Sequence, residues 1–268
     1  MKPALNRQSS TRLIDGEINY HGEMEGRPSY YGFDKSKDRQ VFDTQRVRIE
    51  DGSETSIETD LDREGFKLVR YPSRVTDWQD SAQLKNIYEP EFEALLKSLT
   101  GAEHVLANVK AGVYRDCSRP EAVGAVNFPH IDVNASGMID VLKNRFPHRP
   151  TNVRRWAFYN GWRALSACPR REPLALLDAQ SVVPADLVVL DAAQPDFEYE
   201  ALTLRYNTNH RWMYFSKMSP DDIIVFKTWD SDPSKLSCVA HTAFTDRSFA
   251  NTVPRVSYEI RAYVAWDN

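Results

Sequence analysis

The residues best suited to chemistry lie in the segment FPHIDVN at 128–134, where one residue separates His130 from Asp132. In an extended strand, side chains two positions apart leave the same face, so this imidazole and this carboxylate would point at one place. A second imidazole lies in CVAHTAF at 238–244, where His241 stands among small and apolar residues in a predicted strand. Two imidazoles and a carboxylate on one side of a metal suit Fe(II) and leave positions open for other ligands. His130, Asp132 and His241 are therefore a candidate facial iron site.

An anchor for a second small molecule follows the distal histidine. Arg255 and Ser257 stand at the start of the last predicted strand. A guanidinium can pair with a carboxylate through two hydrogen bonds, and a hydroxyl can add another. Together they would hold the far end of 2-oxoglutarate while its oxo-acid end chelates iron. Arg261 is predicted to share a strand face with Ser257 and is an alternative anchor, although we favour Arg255.

Polar residues within two aromatic strands are candidates for binding substrate. Asn160 and Arg163 lie in NGWRAL, and Lys227 and Trp229 lie in FKTWDS. An apolar pocket needs a few placed polar groups to orient its ligand. The alternative is a strand-edge Asn, a solvated Arg and a Trp at a packing interface. A lone histidine such as His241 is, by itself, also more often a satisfied core residue.

The elements that must position these residues are mostly strands. Short segments rich in β-branched and aromatic residues alternate with Pro, Asp, Asn and Ser, which predicts an antiparallel sandwich or jelly roll. The clearest is SYEIRAYVAW at 257–266, where Tyr258 and Ile260 should share one face and Glu259 and Arg261 the other. One helix is predicted over 83–99, where apolar residues recur at helical spacing and Gly101 follows as a terminator.

Composition limits the class of protein. The chain has 268 residues, of which 41% are hydrophobic and 27% charged, as in ordinary soluble proteins. We expect an N-terminal extension or lid over residues 1–75, packed on a catalytic domain over 76–268. The net charge of -4 favours no nucleic-acid partner, and the absence of a long apolar run predicts no membrane association. Three widely spaced cysteines predict reduced thiols, and we expect a cytoplasmic protein.

The order His-x-Asp, distal His and Arg-x-Ser resembles that of iron- and 2-oxoglutarate-dependent oxygenases. A closer resemblance is to the hydroxylase/desaturase group of microbial and fungal secondary metabolism, which includes a component of the cephamycin 7-alpha-methoxylase system. It extends from about residue 95 to 266. The segments that carry it are LTGAEHV, PHIDVN, NGWRAL, PLALLDA, HRWMYFSKMSPDDIIVFKTWDS, AHTAF and PRVSYEIRAYV. Ala164 and Val256 depart from the group's pattern, which often has Pro and Glu there.

The resemblance implies a mainly β fold with flanking helices, a double-stranded β-helix of the jelly-roll, cupin-like type. It implies iron ligation by His130, Asp132 and His241, with Arg255 anchoring 2-oxoglutarate and O2 as the other co-substrate. The expected reaction is hydroxylation, desaturation or oxidative ring closure at a C–H bond of a small secondary metabolite or amino-acid-derived substrate. Two alternatives remain open, a zinc-dependent hydrolase using metal-activated water and a non-catalytic accessory partner of an oxygenase. The substrate and the oligomeric state are not predicted.

Overall fold

The computed structural model describes residues 12–53, 58–119, 124–236, 238–246 and 252–267. Short strands dominate these ranges. The strands are β1 (Leu13–His21), β2 (Ser29–Tyr30), β3 (Phe42–Asp51), β4 (Phe66–Arg70), β5 (His104–Asp116), β6 (His130–Ile131), β7 (Arg155–Ala164), β8 (Leu174–Leu177), β9 (Leu187–Gln194), β10 (Phe197–Leu204), β11 (Trp212–Tyr214), β12 (Asp222–Asp230), β13 (His241–Ala243), β14 (Thr245–Asp246) and β15 (Val256–Trp266). The helices are α1 (Ser81–Gln83), a π-helical segment (Leu84–Tyr88), α2 (Glu89–Thr100) and α3 (Ala135–Arg145), with 3-10 turns at Lys35–Lys37, Ala179–Ser181 and Pro184–Asp186.

The strands form two sheets. The larger sheet has ten strands in the order β14-β1-β3-β11-β8-β13-β6-β10-β9-β2, and the smaller has five in the order β4-β12-β7-β15-β5. Pairing is antiparallel except between β3 and β11 and between β2 and β9. Sequence neighbours often lie apart within a sheet, as expected for a jelly roll. The predicted mainly β, jelly-roll fold with flanking helices is confirmed.

The N-terminal part of the chain contributes strands to both sheets. β1 pairs with β3 along its whole length, and β3 continues the large sheet through β11. β4 pairs with β12 at one edge of the small sheet. Residues 13–70 thus complete the two sheets through main-chain hydrogen bonds. The division of the chain at residue 75 remains a prediction.

Helix α2 covers the outer face of the small sheet. Its buried side chains include Phe92 and Leu96, which pack with Ile260 and other residues of β15 in one apolar cluster. A Cβ at Gly161 would overlap the Phe92 ring, so the glycine of NGWRAL permits this close approach. Gly101 ends the helix in the left-handed conformation, with φ at 65°. The helix predicted over 83–99 is confirmed.

Strand β15 has the predicted alternation. Tyr258 and Ile260 pack in the cluster beneath α2. Glu259 and Arg261 face the space between the two sheets, where they line the cavity described below. Each face of this strand is therefore covered, which explains why nearly all of its residues are buried.

Helix α3 was not predicted. Asn134 caps its start, because the side-chain oxygen accepts a hydrogen bond from the backbone N–H of Gly137 at 2.8 Å. A Cβ at Gly137 would overlap the backbone of Glu200, so only glycine lets the helix lie this close to β10. All three cysteines are free thiols. Among the described residues, no helix is long and apolar enough to cross a membrane.

Candidate metal centre and co-substrate site

The two histidines of the candidate site lie directly opposite each other on neighbouring strands. β6 pairs with β13 in a register that aligns His130 with His241. Their ring centroids are 4.3 Å apart. Asp132 follows β6 by one residue, and its Oδ1 lies 3.7 Å from Nε2 of His130 and 3.6 Å from Nε2 of His241. One ligand atom from each residue thus falls within 4.8 Å of the others, a spacing that suits one metal ion.

Main-chain contacts set the orientation of both imidazoles. Nδ1 of His130 lies 3.0 Å from the carbonyl oxygen of Phe128, and Nδ1 of His241 lies 3.3 Å from that of Val239. A carbonyl accepts only, so each Nδ1 carries the proton and each Nε2 keeps its lone pair for a metal. Burial, with the second imidazole close by, lowers the pKa of His130 to about 3, and burial lowers the pKa of His241. Both rings are neutral at physiological pH, as metal ligation requires.

Asp132 is held through its other oxygen. Oδ2 accepts hydrogen bonds from Nδ2 of Asn160 at 2.8 Å and from Nε of Arg261 at 2.8 Å, and Nη2 of Arg261 lies 2.7 Å away. Burial raises the pKa of Asp132, but the adjacent Arg261 guanidinium and the hydrogen bond from Asn160 outweigh it and hold that pKa well below its usual range. The carboxylate is therefore ionised, with Oδ2 occupied and Oδ1 directed at the histidines.

Arg261 is fully engaged by acidic groups of the protein. Besides Asp132, it contacts Oε1 of Glu259 at 2.5 Å, and it donates to the carbonyl oxygen of Ala111 at 2.7 Å. Burial lowers the pKa of Arg261, but the two carboxylates outweigh it and raise that pKa. Asn160 bridges the same carboxylates, since its Nδ2 also donates to Glu259 at 3.0 Å. This network leaves Arg261 little capacity to bind a further carboxylate.

Arg255 is in the opposite situation. It is 3% exposed, its Nη1 donates to the carbonyl oxygen of Glu172 at 2.9 Å, and its Nε has no partner. Over the ranges that the structure describes, no acidic side chain pairs with its guanidinium. Burial lowers the pKa of Arg255 to about 10. Ser257, two residues further along, has a buried hydroxyl without a partner. A buried cation without an acidic partner is an incomplete site for an anion.

Arg255 and the two histidines share a narrow cavity. The cavity has a volume of about 20 Å³ and is also lined by Trp162 and Thr242. That is space for one or two water-sized groups, comparable to the two oxygens of a carboxylate. A wider cavity of about 230 Å³ is lined by His130 and Asp132. The candidate metal site therefore borders both the narrow recess and a larger chamber.

The residues predicted to bind substrate lie in other surroundings. Asn160 touches the metal site through Asp132, as described. Arg163 points toward α2 and donates to the Tyr88 hydroxyl at 3.0 Å. Lys227 is buried between Asp62 at 2.8 Å and Asp230 at 3.0 Å.

Trp229 stacks on Trp156, with ring centroids 6.1 Å apart. Arg163, Lys227 and Trp229 line none of the cavities that reach the metal site. Their predicted substrate roles remain predictions without a supporting contact.

Two residues at the site were missed by sequence reasoning. Glu259 contacts Arg261 and lines both cavities, and its alternation with Ser257 and Arg261 on β15 was the available signal. Arg115 also lines both cavities. It lies near the end of β5. Nothing in the local sequence distinguishes it from a solvated arginine.

A jelly roll with a buried His-x-Asp…His cluster and an unpaired arginine at its inner end defines a non-haem iron oxygenase of the 2-oxoglutarate-dependent class. A family model described as "Oxidoreductase/YMDC permease-like domain" matches residues 18–265. Hydroxylase/desaturase efuI of Hormonema carpetanum is 30% identical, over 86% of this chain and 86% of the relative. The chain belongs to this family of Fe(II)/2-oxoglutarate-dependent oxygenases of secondary metabolism.

Two further proteins agree with this assignment. Alpha-ketoglutarate-dependent dioxygenase phiK of a fungal species is 27% identical, over 85% of this chain and 86% of the relative. Among solved structures, the iron and alpha-ketoglutarate-dependent endoperoxidase NvfI superposes with a TM-score of 0.81 at 20% identity, covering 97% of this chain and 100% of that one. At that identity the superposition shows the fold. The co-substrates and the iron are those of the family, and the substrate is a small molecule.

Proposed function

We propose that His130, Asp132 and His241 hold Fe(II), and that Arg255 with Ser257 binds the distal carboxylate of 2-oxoglutarate. The observation that carries this proposal is that one cavity is lined both by metal-ligand candidates and by an arginine without an acidic partner. The three ligand atoms converge within 4.8 Å, and the buried Arg255 guanidinium has no acidic partner in the described chain. A dicarboxylate that chelates metal at one end would complete both sites.

The protein's own groups account for each binding step. The carbonyls of Phe128 and Val239 direct both Nε2 atoms inward, and Arg261 with Asn160 fixes Asp132 so that Oδ1 remains available. Iron, when bound, supplies O2 activation coupled to oxidative decarboxylation of 2-oxoglutarate, with oxidation of a substrate C–H bond. The walls of the wide cavity exclude water and hold that bond near the metal ligands.

The two alternatives are not supported. A zinc hydrolase would use the same three ligands but would leave Arg255 buried without a function. A non-catalytic accessory partner has no reason to keep both the converging ligand atoms and the unpaired arginine. The relatives are named as dioxygenases and hydroxylase/desaturases, in agreement with the catalytic interpretation.

The test compares Asp132→Ala with Asp140→Ala, a matched change on the exposed face of α3, where the Asp140 side chain is 44% exposed. Both proteins are desalted after incubation with Fe(II), and iron content and 2-oxoglutarate-dependent succinate formation are measured. We expect the Asp132 variant to lose both, with an unchanged circular dichroism spectrum, and the Asp140 variant to keep both. Full iron content and succinate formation in the Asp132 variant would contradict the assignment.

A further inference from the structure

The wide cavity beside the metal site is mainly apolar. Its walls come from both sheets and from the N-terminal segment around β2. A second cavity of about 350 Å³ shares Tyr30, Gly32, Val126 and Phe128 with it and continues away from the metal site. The apolar lining of the inner cavity includes Tyr30, Phe128, Leu190 and Tyr199. The connected space suits a carbon-rich ligand larger than a free amino acid.

The acidic groups of the inner cavity are already paired with Arg261. Oδ2 of Asp132 and Oε1 of Glu259 both accept from Asn160 and Arg261. Asp38, in the outer cavity, accepts a hydrogen bond from the backbone N–H of Tyr31 at 2.6 Å. In the inner cavity, a substrate ammonium group would therefore find no carboxylate without a cationic partner among the described wall residues. This disfavours free amino acids and other primary amines as substrates.

Two arginines line the inner cavity, Arg115 and Arg261, and of these Arg115 has no acidic partner within the described ranges. Arg115 donates through Nη1 to the carbonyl oxygen of Gly124 at 2.7 Å, and it also donates to the Tyr30 hydroxyl. It lies opposite Ser257 in the β5–β15 register, at the junction of the narrow recess and the wide cavity. Arg255 lies deeper, in the recess alone. A cation at the edge of an apolar chamber is a site for a ligand's acidic group.

We propose that the substrate is a carbon-rich acid, larger than a free amino acid, whose carboxylate pairs with Arg115 while its apolar body fills the wide cavity. This inference rests on the proposed function, because the metal ligands define the reacting end of the chamber. The same guanidinium could instead reach 2-oxoglutarate, since it also borders the recess. The chemistry is a carboxylate in both cases, so the experiment must separate the two sources.

The probes are 1-pyrenebutyric acid and its neutral counterpart 1-pyrenebutanol, titrated by calorimetry into the anaerobic protein loaded with Fe(II) and 2-oxoglutarate. We expect the acid to bind roughly 10-fold to 100-fold more tightly than the alcohol, the range of one charge-assisted hydrogen-bonded pair. Arg115→Met should abolish this preference and leave binding of the alcohol unchanged. Arg115→Lys should retain part of it. Arg70→Met, at a side chain that is 69% exposed on the surface, should retain all of it.

A parallel titration measures 2-oxoglutarate affinity in the same variants. We expect Arg115→Met to leave that affinity unchanged, so that a failure of the substrate inference is distinguishable from a failure of the co-substrate site. Equal binding of acid and alcohol by the native protein would overturn the proposal, as would an unchanged preference in Arg115→Met. Absence of binding by either probe would contradict the carbon-rich class. A loss of 2-oxoglutarate affinity as large as that of Arg255→Gln would assign Arg115 to the co-substrate.

Discussion

Replacing Arg255 with Gln separates the two arginines that the sequence left as candidate anchors. In the structure Arg255 is 3% exposed and has a single main-chain acceptor, whereas Arg261 already contacts two carboxylates. Removing one member of a buried, hydrogen-bonded charge pair costs about 2–5 kcal/mol of binding free energy. Gln keeps one donor, so we expect the lower half of that range, about 2–3 kcal/mol, or roughly 30-fold to 150-fold weaker binding of 2-oxoglutarate.

The same substitution should weaken 2-oxoglutarate binding without lowering the stability of the fold. Without 2-oxoglutarate, native Arg255 is a buried cation with no acidic partner in the described ranges, and burial lowers its pKa to about 10. Gln is neutral, although its side chain is two atoms shorter, and it removes that desolvation cost, so Arg255→Gln should unfold at the same or a higher urea concentration than the native protein. A residue needed for packing would behave in the reverse way.

The assay is an anaerobic titration of the Fe(II)-loaded protein with 2-oxoglutarate, followed by the visible charge-transfer absorbance of the chelate. Urea unfolding of the metal-free protein gives the stability comparison. Unchanged 2-oxoglutarate affinity in Arg255→Gln, with a large loss in Arg261→Gln instead, would refute the assignment of the anchor. Marked destabilisation of Arg255→Gln would show that the guanidinium serves the fold.

Three further outcomes are expected. Arg261→Gln should weaken Fe(II) binding about 10-fold to 100-fold, because it frees the oriented carboxylate, and metal titration with a competing chelator measures this. Lys227→Met should lower the free energy of unfolding by about 1.5–3 kcal/mol while leaving 2-oxoglutarate binding intact, because it removes one of the two cations that contact the buried Asp230 and leaves Arg155 in place; an effect on substrate binding alone would contradict this role. Burial lowers the pKa of His210 in the folded protein, so the stability contributed by the neutral ring is complete above the pKa of the unfolded state and is lost as pH falls through the pKa of the folded state. His210→Gln should reduce this loss of stability at acid pH, as measured by urea unfolding at a series of pH values. A pH profile identical to that of the native protein would argue against it.

Much of the frame could be predicted from local pattern. The helix ending at Gly101 and the alternation of β15 follow from spacing and from one left-handed glycine. The order of His130, Asp132 and His241 could be read as a metal site, although their convergence depends on the pairing of β6 with β13. That pairing joins residues more than a hundred positions apart, which local patterns do not encode.

Local pattern could not determine which face of a strand meets which layer. Asn160 and Arg163 have opposite parity on β7, so one faces the metal site and the other faces α2. Lys227 is polar but buried, because Asp62 and Asp230 close around it. Alternation fixes which residues share a face, but it does not show which face lines the cavity when both are covered.

The missed helix α3 has a tertiary cause. Its apolar residues are few, and its position is set by Asn134 and by the close contact of Gly137 with β10. Arg115 was missed for a related reason, since its importance lies in the absence of an acidic partner around it in the described structure. Neither feature is visible without the fold.

The most direct test of the central assignment is the visible absorbance of the anaerobic protein with Fe(II) and 2-oxoglutarate, recorded for the native chain and for His241→Ala. His241 is 3% exposed and its Nε2 faces Asp132, so its imidazole should be required for the metal site. We expect a charge-transfer band at one iron per chain in the native protein and no band in the folded variant. A native protein without the band, or a variant that retains it at full intensity, would contradict the assignment of these three residues to iron.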